Sequence, residues 1–314
     1  MKKKNETKKR RVSLSTILLV AALLVGMGIM LYPTVSDYWN SLHQTRAIAS
    51  YDQAVEAMDQ TDYQALLAAA ETYNRHLSEL SDPFSQAELL EEEYQSVLDI
   101  TGNGIMGYVT IDKIGVDLPI YHGTDEAVLN IAAGHLEGSS LPIGGEGNHS
   151  VISAHRGLPS AKLFTKLDEL EAGDTFTVTI LDQVLTYEVD QILIVEPTQL
   201  EALYPVAGED YCTLQTCTPY GVNSHRLLVR GHRIETVQGT MVLHEDASQV
   251  PTYIVAPAVA IPILFILLVI LLIVYRKKPA SVTTEDIRQL CRTMDEIAQN
   301  KKEAPGQPEH DGKE

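Results

Sequence analysis

The segment "TLQTCTPYGVNSHRLLVRGHR", residues 213–233, sets a cysteine and an arginine nine residues apart, Cys217 at the end of one alternating run and Arg226 at the start of the next. Read as two neighbouring strands joined by a polar loop, it brings both side chains to the same end of a sheet. A thiolate is a strong nucleophile toward a carbonyl carbon. A nearby guanidinium favours thiolate over thiol, keeps its charge, and offers a planar fork of donors to a developing oxyanion. The chemistry these two residues suit is acyl transfer through a thioester.

Such a reaction also needs a proton shuttle. His155, in "VISAHRGLPSAKLF", ends an apolar run and precedes Arg156-Gly157, a turn that exposes it at a strand end. By composition His122, His135, His149, His225 and His232 are rivals. The inert alternative makes Cys217 a small buried hydrophobe, Arg226 a surface cation and His155 a turn residue. Scarcity of positive charge weighs against it: residues 13–275 hold nine Lys and Arg, and Arg226, Arg230 and Arg233 cluster just after Cys217.

Cys212, Cys217, His225 and His232 invite comparison with a zinc site. Structural zinc sites use tighter cysteine spacing, and strand alternation sends these two cysteines to opposite faces. No metal or cofactor is therefore expected. A mutual disulfide fails as well, because five extended residues span ~16 Å against a Cα limit of about 7 Å. "GGEGN", residues 144–148, lacks the Lys-Ser/Thr of a phosphate loop and reads as a turn.

The elements that must position these groups follow from periodicity. Residues 35–80 repeat apolar side chains at three- and four-residue steps, with a capping box at Thr61-Asp62-Tyr63-Gln64 dividing two helices. "SDPF" at 81–84 stops the pattern, and a short helix follows to about Leu98. From Gly104 the period becomes two. "IMGYVTI", "VDLPI", "HSVISAH", "TFTVTI", "VLTYEV", "ILIVEP", "YCTLQTC" and "RLLVRG" are short β-type runs, with a hairpin turn at Leu181-Asp182 and one helix in "SAKLFTKLDEL". The fold class is mainly β, a closed or nearly closed barrel.

The formal net charge is −18, unevenly placed. Residues 1–12 carry seven basic groups and one acid, residues 276–314 carry eight of each, and 13–275 carry nine basic against thirty-three acidic. Such a surface repels nucleic acid. The uncharged runs 13–32 and 253–275 are each long enough to span a bilayer. "MKKKNETKKRR" precedes the first and "RKK" follows the second, so both termini are expected in the cytoplasm with residues 33–252 outside. The expected organisation is a basic segment 1–12, a transmembrane helix 13–32, a helical region 33–103, a barrel 104–237, a linker 238–252, a second transmembrane helix 253–275 and a tail 276–314.

The segment 213–233 resembles the active-site segment of sortases, specifically the pilin-polymerising class C. The resemblance extends over nearly all of residues 35–275, through "MGYVTIDKIGVDLPIYHGT", "GHLEGSSLPIGG", "SAHRGLPSAKLF", "LTYEVDQILIVEP" and the C-terminal apolar run. It implies an eight-stranded barrel with helical additions and singles out His155 as partner of Cys217. Cys217 would attack the Thr carbonyl of an LPXTG-like sorting signal, His155 would protonate the leaving amine, and Arg226 would stabilise the oxyanion. The implied partners are pilin or surface-protein substrates and an amine acceptor, usually a pilin lysine, at the cell membrane. "DPF", Asp82, Pro83 and Phe84, matches the family's lid within 81–85. Asp82 would pair with Arg226 and Phe84 would cover Cys217, although the residues alone read as a helix stop with a packed Phe. A peptidoglycan amine as acceptor and a non-enzymatic membrane-tethered assembly module are the competing readings.

Overall fold

Alternation from Gly104 onward closes into a barrel in the computed structural model, which describes residues 14–236 and 284–303, with positions 261, 264, 265 and 268. The strands are β1 (Ile105–Ile111), β2 (Val116–His122), β3 (Ala133–His135), β4 (Asn148–Ser153), β5 (Thr175–Ile180), β6 (Gln183–Val195), β7 (Asp210–Thr218) and β8 (His225–Ile234). Their order around the closed barrel is β1-β2-β3-β4-β7-β8-β6-β5. Two neighbouring pairs, β2 with β3 and β4 with β7, are parallel.

Period two decides what each strand buries. On β7, Cys212 and Leu214 point into the barrel core, with Ile152, Leu227 and Val229 from the flanking strands. The opposite parity, Val151 on β4 and Leu228 on β8, forms a second apolar cluster outside the barrel wall with Leu203, against which Phe84, Leu136, Leu193, Val195 and Leu200 pack. This outer cluster shares its side of the barrel wall with Cys217 and Arg226.

The eight strands are not the eight runs read from the sequence. "VLTYEV" and "ILIVEP" form the single strand β6, whose register against β8 shifts between Val189 and Gln191, a bulge at Asp190. The remaining strand is β3, three residues of Ala-Gly-His. "SAKLFTKLDEL" is not one helix but turns ending in a 3-10 segment, Leu167–Glu169. Leu163 there has φ 42, and Leu163, Phe164, Leu167 and Leu170 are all buried in the core, so packing overrides the helical spacing.

Helix α1 (Leu14–Glu56) runs unbroken through Pro33, so the segments expected at 13–32 and 33–103 meet inside one helix. Its stretch Ala21–Glu56 is long and apolar enough to cross a membrane by length and composition. Leu23, Leu24, Val25, Ile29, Met30, Val35 and Trp39 are exposed. Farther along, Tyr51 is fully buried; its hydroxyl donates to the Met106 carbonyl at 2.8 Å and accepts from the Leu181 amide at 2.8 Å. That residue fastens α1 to the barrel.

Helix α2 (Gln60–Ser78) is capped by Asp59, whose carboxylate accepts from the Thr61 and Asp62 amides. The cap therefore falls two residues before the capping box expected at Thr61, since the Asp59 carboxylate meets the first free amides directly. Then come α3 (Pro83–Gln86), a 3-10 turn (Ala87–Leu90), α4 (Glu91–Ser96) and, between β2 and β3, α5 (Glu126–Leu129). The chain divides into units Met1–Ala247 and Ser248–Glu314; in the second, α6 (Thr284–Glu303) forms where a tail helix was expected. Apart from residues 261, 264, 265 and 268, the second apolar run lies outside the described residues.

Candidate active site

Cys217 on β7 is the direct cross-strand partner of Arg226 on β8, which in turn pairs with Val195 on β6. Directly opposed residues share a face with Cβ atoms about 4.5–5.5 Å apart, so thiol and guanidinium project side by side. On the other flank, β4 runs parallel to β7 with Ser153 level with Gln215. His155 lies two residues past Ser153 and is thus level with Cys217. Its backbone is held on both sides: the Ala154 amide donates to the Gln215 carbonyl at 3.1 Å, and the Phe164 amide to the His155 carbonyl at 3.1 Å. The Thr216 hydroxyl donates to the Ala154 carbonyl at 2.8 Å, tying the residue before the nucleophile to the residue before the histidine.

Cys217, His155 and Arg226 are each half-buried and line one pocket of about 320 Å³. Leu129, Leu136, Leu200, Leu203 and Leu228 make its apolar part; Ser153, Gln215 and Glu196 are among its polar lining. The pocket thus offers one row, Val195-Arg226-Cys217-His155, and one pleat deeper a second row, Leu228-Gln215-Ser153.

The rival histidines are engaged elsewhere. His135 is fully buried; its Nε2 faces the Ser140 carbonyl at 2.9 Å and its Nδ1 the Tyr94 hydroxyl at 3.0 Å. Burial lowers its pKa to about 4. His149 donates from Nδ1 to the Tyr204 carbonyl at 3.2 Å and accepts at Nε2 from the Thr213 hydroxyl at 2.7 Å, a neutral ring whose pKa burial also lowers to about 4. Both ring nitrogens of His122 meet backbone carbonyls, those of Gly104 and Val97. His225 bonds the Ser224 hydroxyl at 2.8 Å, and His232 pairs across the sheet with Tyr211. His155 is the histidine that shares the pocket with Cys217.

Of the two barrel cysteines, Cys212 is a free, fully buried thiol whose pKa burial raises well above the ordinary range. Cys217, also free, faces the pocket. Among the described residues no cluster of three or more His, Cys, Asp or Glu is placed to hold a metal ion.

The segment Asp82-Pro83-Phe84 lies over the outer cluster, but Asp82 is not paired with Arg226. Its carboxylate accepts from the Tyr204 hydroxyl at 2.8 Å and from the Ser85 hydroxyl at 2.7 Å. These bonds, Ser85 first, lower its pKa. Arg226 instead donates to the His225 carbonyl at 3.3 Å. Phe84 meets the Tyr204 ring edge to face, centroids 5.3 Å apart, and packs on the cluster containing Leu203 and Leu228, two residues that also line the pocket. Gly138, at φ +85, lets this segment approach: a Cβ there would sit 2.8 Å from the Phe84 Cα. Tyr204, on the β6–β7 connection, is the partner sequence reasoning missed. It lies 122 residues from Asp82, and no local pattern marks it.

A thiol, an imidazole and a guanidinium at one pocket mouth are a set of groups suited to covalent acyl transfer. A sortase-domain family model matches residues 109–234, from β1 through β8. The crystal structure of sortase C1 from Streptococcus agalactiae is similar at 49% identity, covering 61% of this chain and 99% of that one, with a TM-score of 0.57. Sortase C-1 from Streptococcus pneumoniae is similar at 46% identity over 61% of this chain and 100% of that one, TM-score 0.53. Sortase D of Bacillus subtilis shares 30% identity over 131 residues, 41% of this chain and 63% of that protein. For sortase A of Streptococcus agalactiae the match is 30% over 117 residues, 36% of this chain and 47% of that protein. The chain thus spans less than two thirds of either curated relative. It belongs to the sortase family, whose members are cysteine transpeptidases.

Proposed function

We propose that this chain is a class C sortase that cuts an LPXTG-like sorting signal after its Thr and joins the acyl fragment to a lysine of another pilin subunit. The observation that carries the reading is the register pairing of Cys217 with Arg226, with His155 level beside them in one pocket. The similarity to sortase C1 structures at 49% and 46% identity supports the class.

In the first step Cys217 Sγ bonds to the Thr carbonyl carbon. The oxyanion that forms lies against the Arg226 guanidinium, whose charge and planar donors suit it. His155 delivers a proton to the departing nitrogen as the C–N bond breaks. In the second step an amine attacks the thioester, His155 takes its proton, and Cys217 leaves as an amide forms. The acyl bond energy is kept in the thioester, so no nucleotide is consumed. The apolar lining from Leu129, Leu136, Leu200, Leu203 and Leu228 suits the Leu and Pro of the signal.

Asp82, Pro83 and Phe84 act as a lid that lowers resting activity. The lid is latched to the β6–β7 connection through Tyr204. The enzyme is held at the cell membrane by 13–32 and 253–275, with the barrel outside and both termini inside. Incubating the full chain, in detergent or membranes, with pilin substrates tests the acceptor. Lysine-linked ladders that vanish with Cys217→Ala support pilin joining. Transfer to a peptidoglycan-type amine alone would make the chain an anchoring enzyme instead.

A further inference from the structure

Ser153 sits on the deeper row of the pocket, 6% exposed, and its hydroxyl is buried with no hydrogen-bond partner among the described residues. Its parity matches Val151, which faces the outer cluster, and opposes Ile152, which faces the barrel core. The hydroxyl is therefore on the pocket side of β4. The neighbours leave it unsatisfied for a structural reason. Across β3 its partner is Gly134, which has no side chain, and across β7 it is Gln215, whose side-chain amide also makes no hydrogen bond among the described residues.

A buried hydroxyl without a partner is destabilising, and folded proteins rarely keep one without a use. Here it lies inside the pocket of the nucleophile. The deeper row stands two residues along the strand from the Cys217 row, about 6.6 Å. Two residues of an extended peptide cover the same distance. In an LPXTG-like segment the residue two before the Thr is the proline, which offers a carbonyl and no N–H.

We infer that Ser153 is a positioning residue for the sorting signal: its hydroxyl donates to the main-chain carbonyl two residues before the acyl Thr, with Gln215 beside it as a second backbone contact. This rests on the function proposed above and names the group that reads the peptide within it. Pairing with substrate satisfies the hydroxyl and sets the scissile carbonyl over Cys217. The group acts on binding and register and does not touch the reacting atoms.

The test compares S153T with S153V in the full chain, a pair of nearly equal volume that differs in the hydroxyl. With a sorting-signal peptide, S153V should show KM raised about tenfold over S153T at similar kcat, the value of one hydrogen bond. S153T should stay near wild type. A peptide with an ester in place of the amide after the proline, whose carbonyl accepts more weakly, should bind wild type severalfold less well and leave S153V unaffected. Equal KM for the two variants, a loss confined to kcat, or an ester effect equal in wild type and S153V would overturn the assignment. Should wild type form no Cys217 adduct with any signal peptide, the sortase reaction itself fails, a result distinct from these.

Discussion

At the scale of single residues, the account turns on which polar groups are committed to the fold and which are left for chemistry. His135 and His149 are buried and paired as neutral rings, whereas His155 stands at the pocket with Cys217 and Arg226. This has a consequence for stability against pH. Burial depresses both His135 and His149 to about 4, below the ordinary histidine value of 6.5. Between those values the unfolded chain binds more protons than the folded one, so stability is fully present above pH 6.5 and falls as pH drops toward 4. The loss is on the order of 2–3 kcal/mol per residue by pH 4. Melting temperatures measured from pH 7 to 4.5 should decline, and His149→Gln should flatten the slope; an unchanged slope would show that His149 does not titrate this way. Arg226→Lys keeps a charge but loses the planar fork, and peptide turnover should drop about a hundredfold. Turnover equal to wild type would remove the oxyanion role. The Cys217–Arg226 pairing was legible in the sequence because two β-type runs joined by a short polar loop put the end of one beside the start of the next. The Ser153 orphan was not, because it depends on a glycine opposite it in another strand.

At the scale of elements, the strands richest in alternation were readable and the rest were decided by packing. β7 and β8 are long runs of β-type residues, nine and ten in length; β3 is Ala-Gly-His, too short and too small to show a period, and pairs with β2 on one side and β4 on the other. The helix expected in "SAKLFTKLDEL" gave way because Leu163, Phe164, Leu167 and Leu170 must all enter the core. The Asp82-Pro83-Phe84 segment shows the same limit. "DPF" was visible, but the partner of Asp82 is Tyr204, not Arg226, since the β6–β7 connection brings a phenol to the carboxylate. This segment, proposed above as a lid, is thereby joined to the connection, and variants of the two should couple. Asp82→Ala and Tyr204→Phe should each raise the rate of Cys217 alkylation, about fivefold, and the double variant should gain little beyond the larger single effect. Additive gains would mean two independent restraints. Unchanged labelling in both would remove the gating role while leaving the catalytic residues in place.

At the scale of the whole molecule, α1 holds both the stretch long and apolar enough to cross a membrane and Tyr51, which fastens the helix to the barrel. The strongly acidic stretch between the two apolar runs disfavours nucleic acid. The reaction proposed for this chain begins with transfer of an acyl group to the Cys217 sulfur at the mouth of the pocket. Intact-protein mass spectrometry of the full chain mixed with a sorting-signal peptide observes that event. The account predicts a mass gain equal to the peptide through its Thr, mapped to Cys217, absent in Cys217→Ala and strongly reduced in His155→Ala. No adduct on the wild-type chain, or an adduct that survives Cys217→Ala, would contradict it.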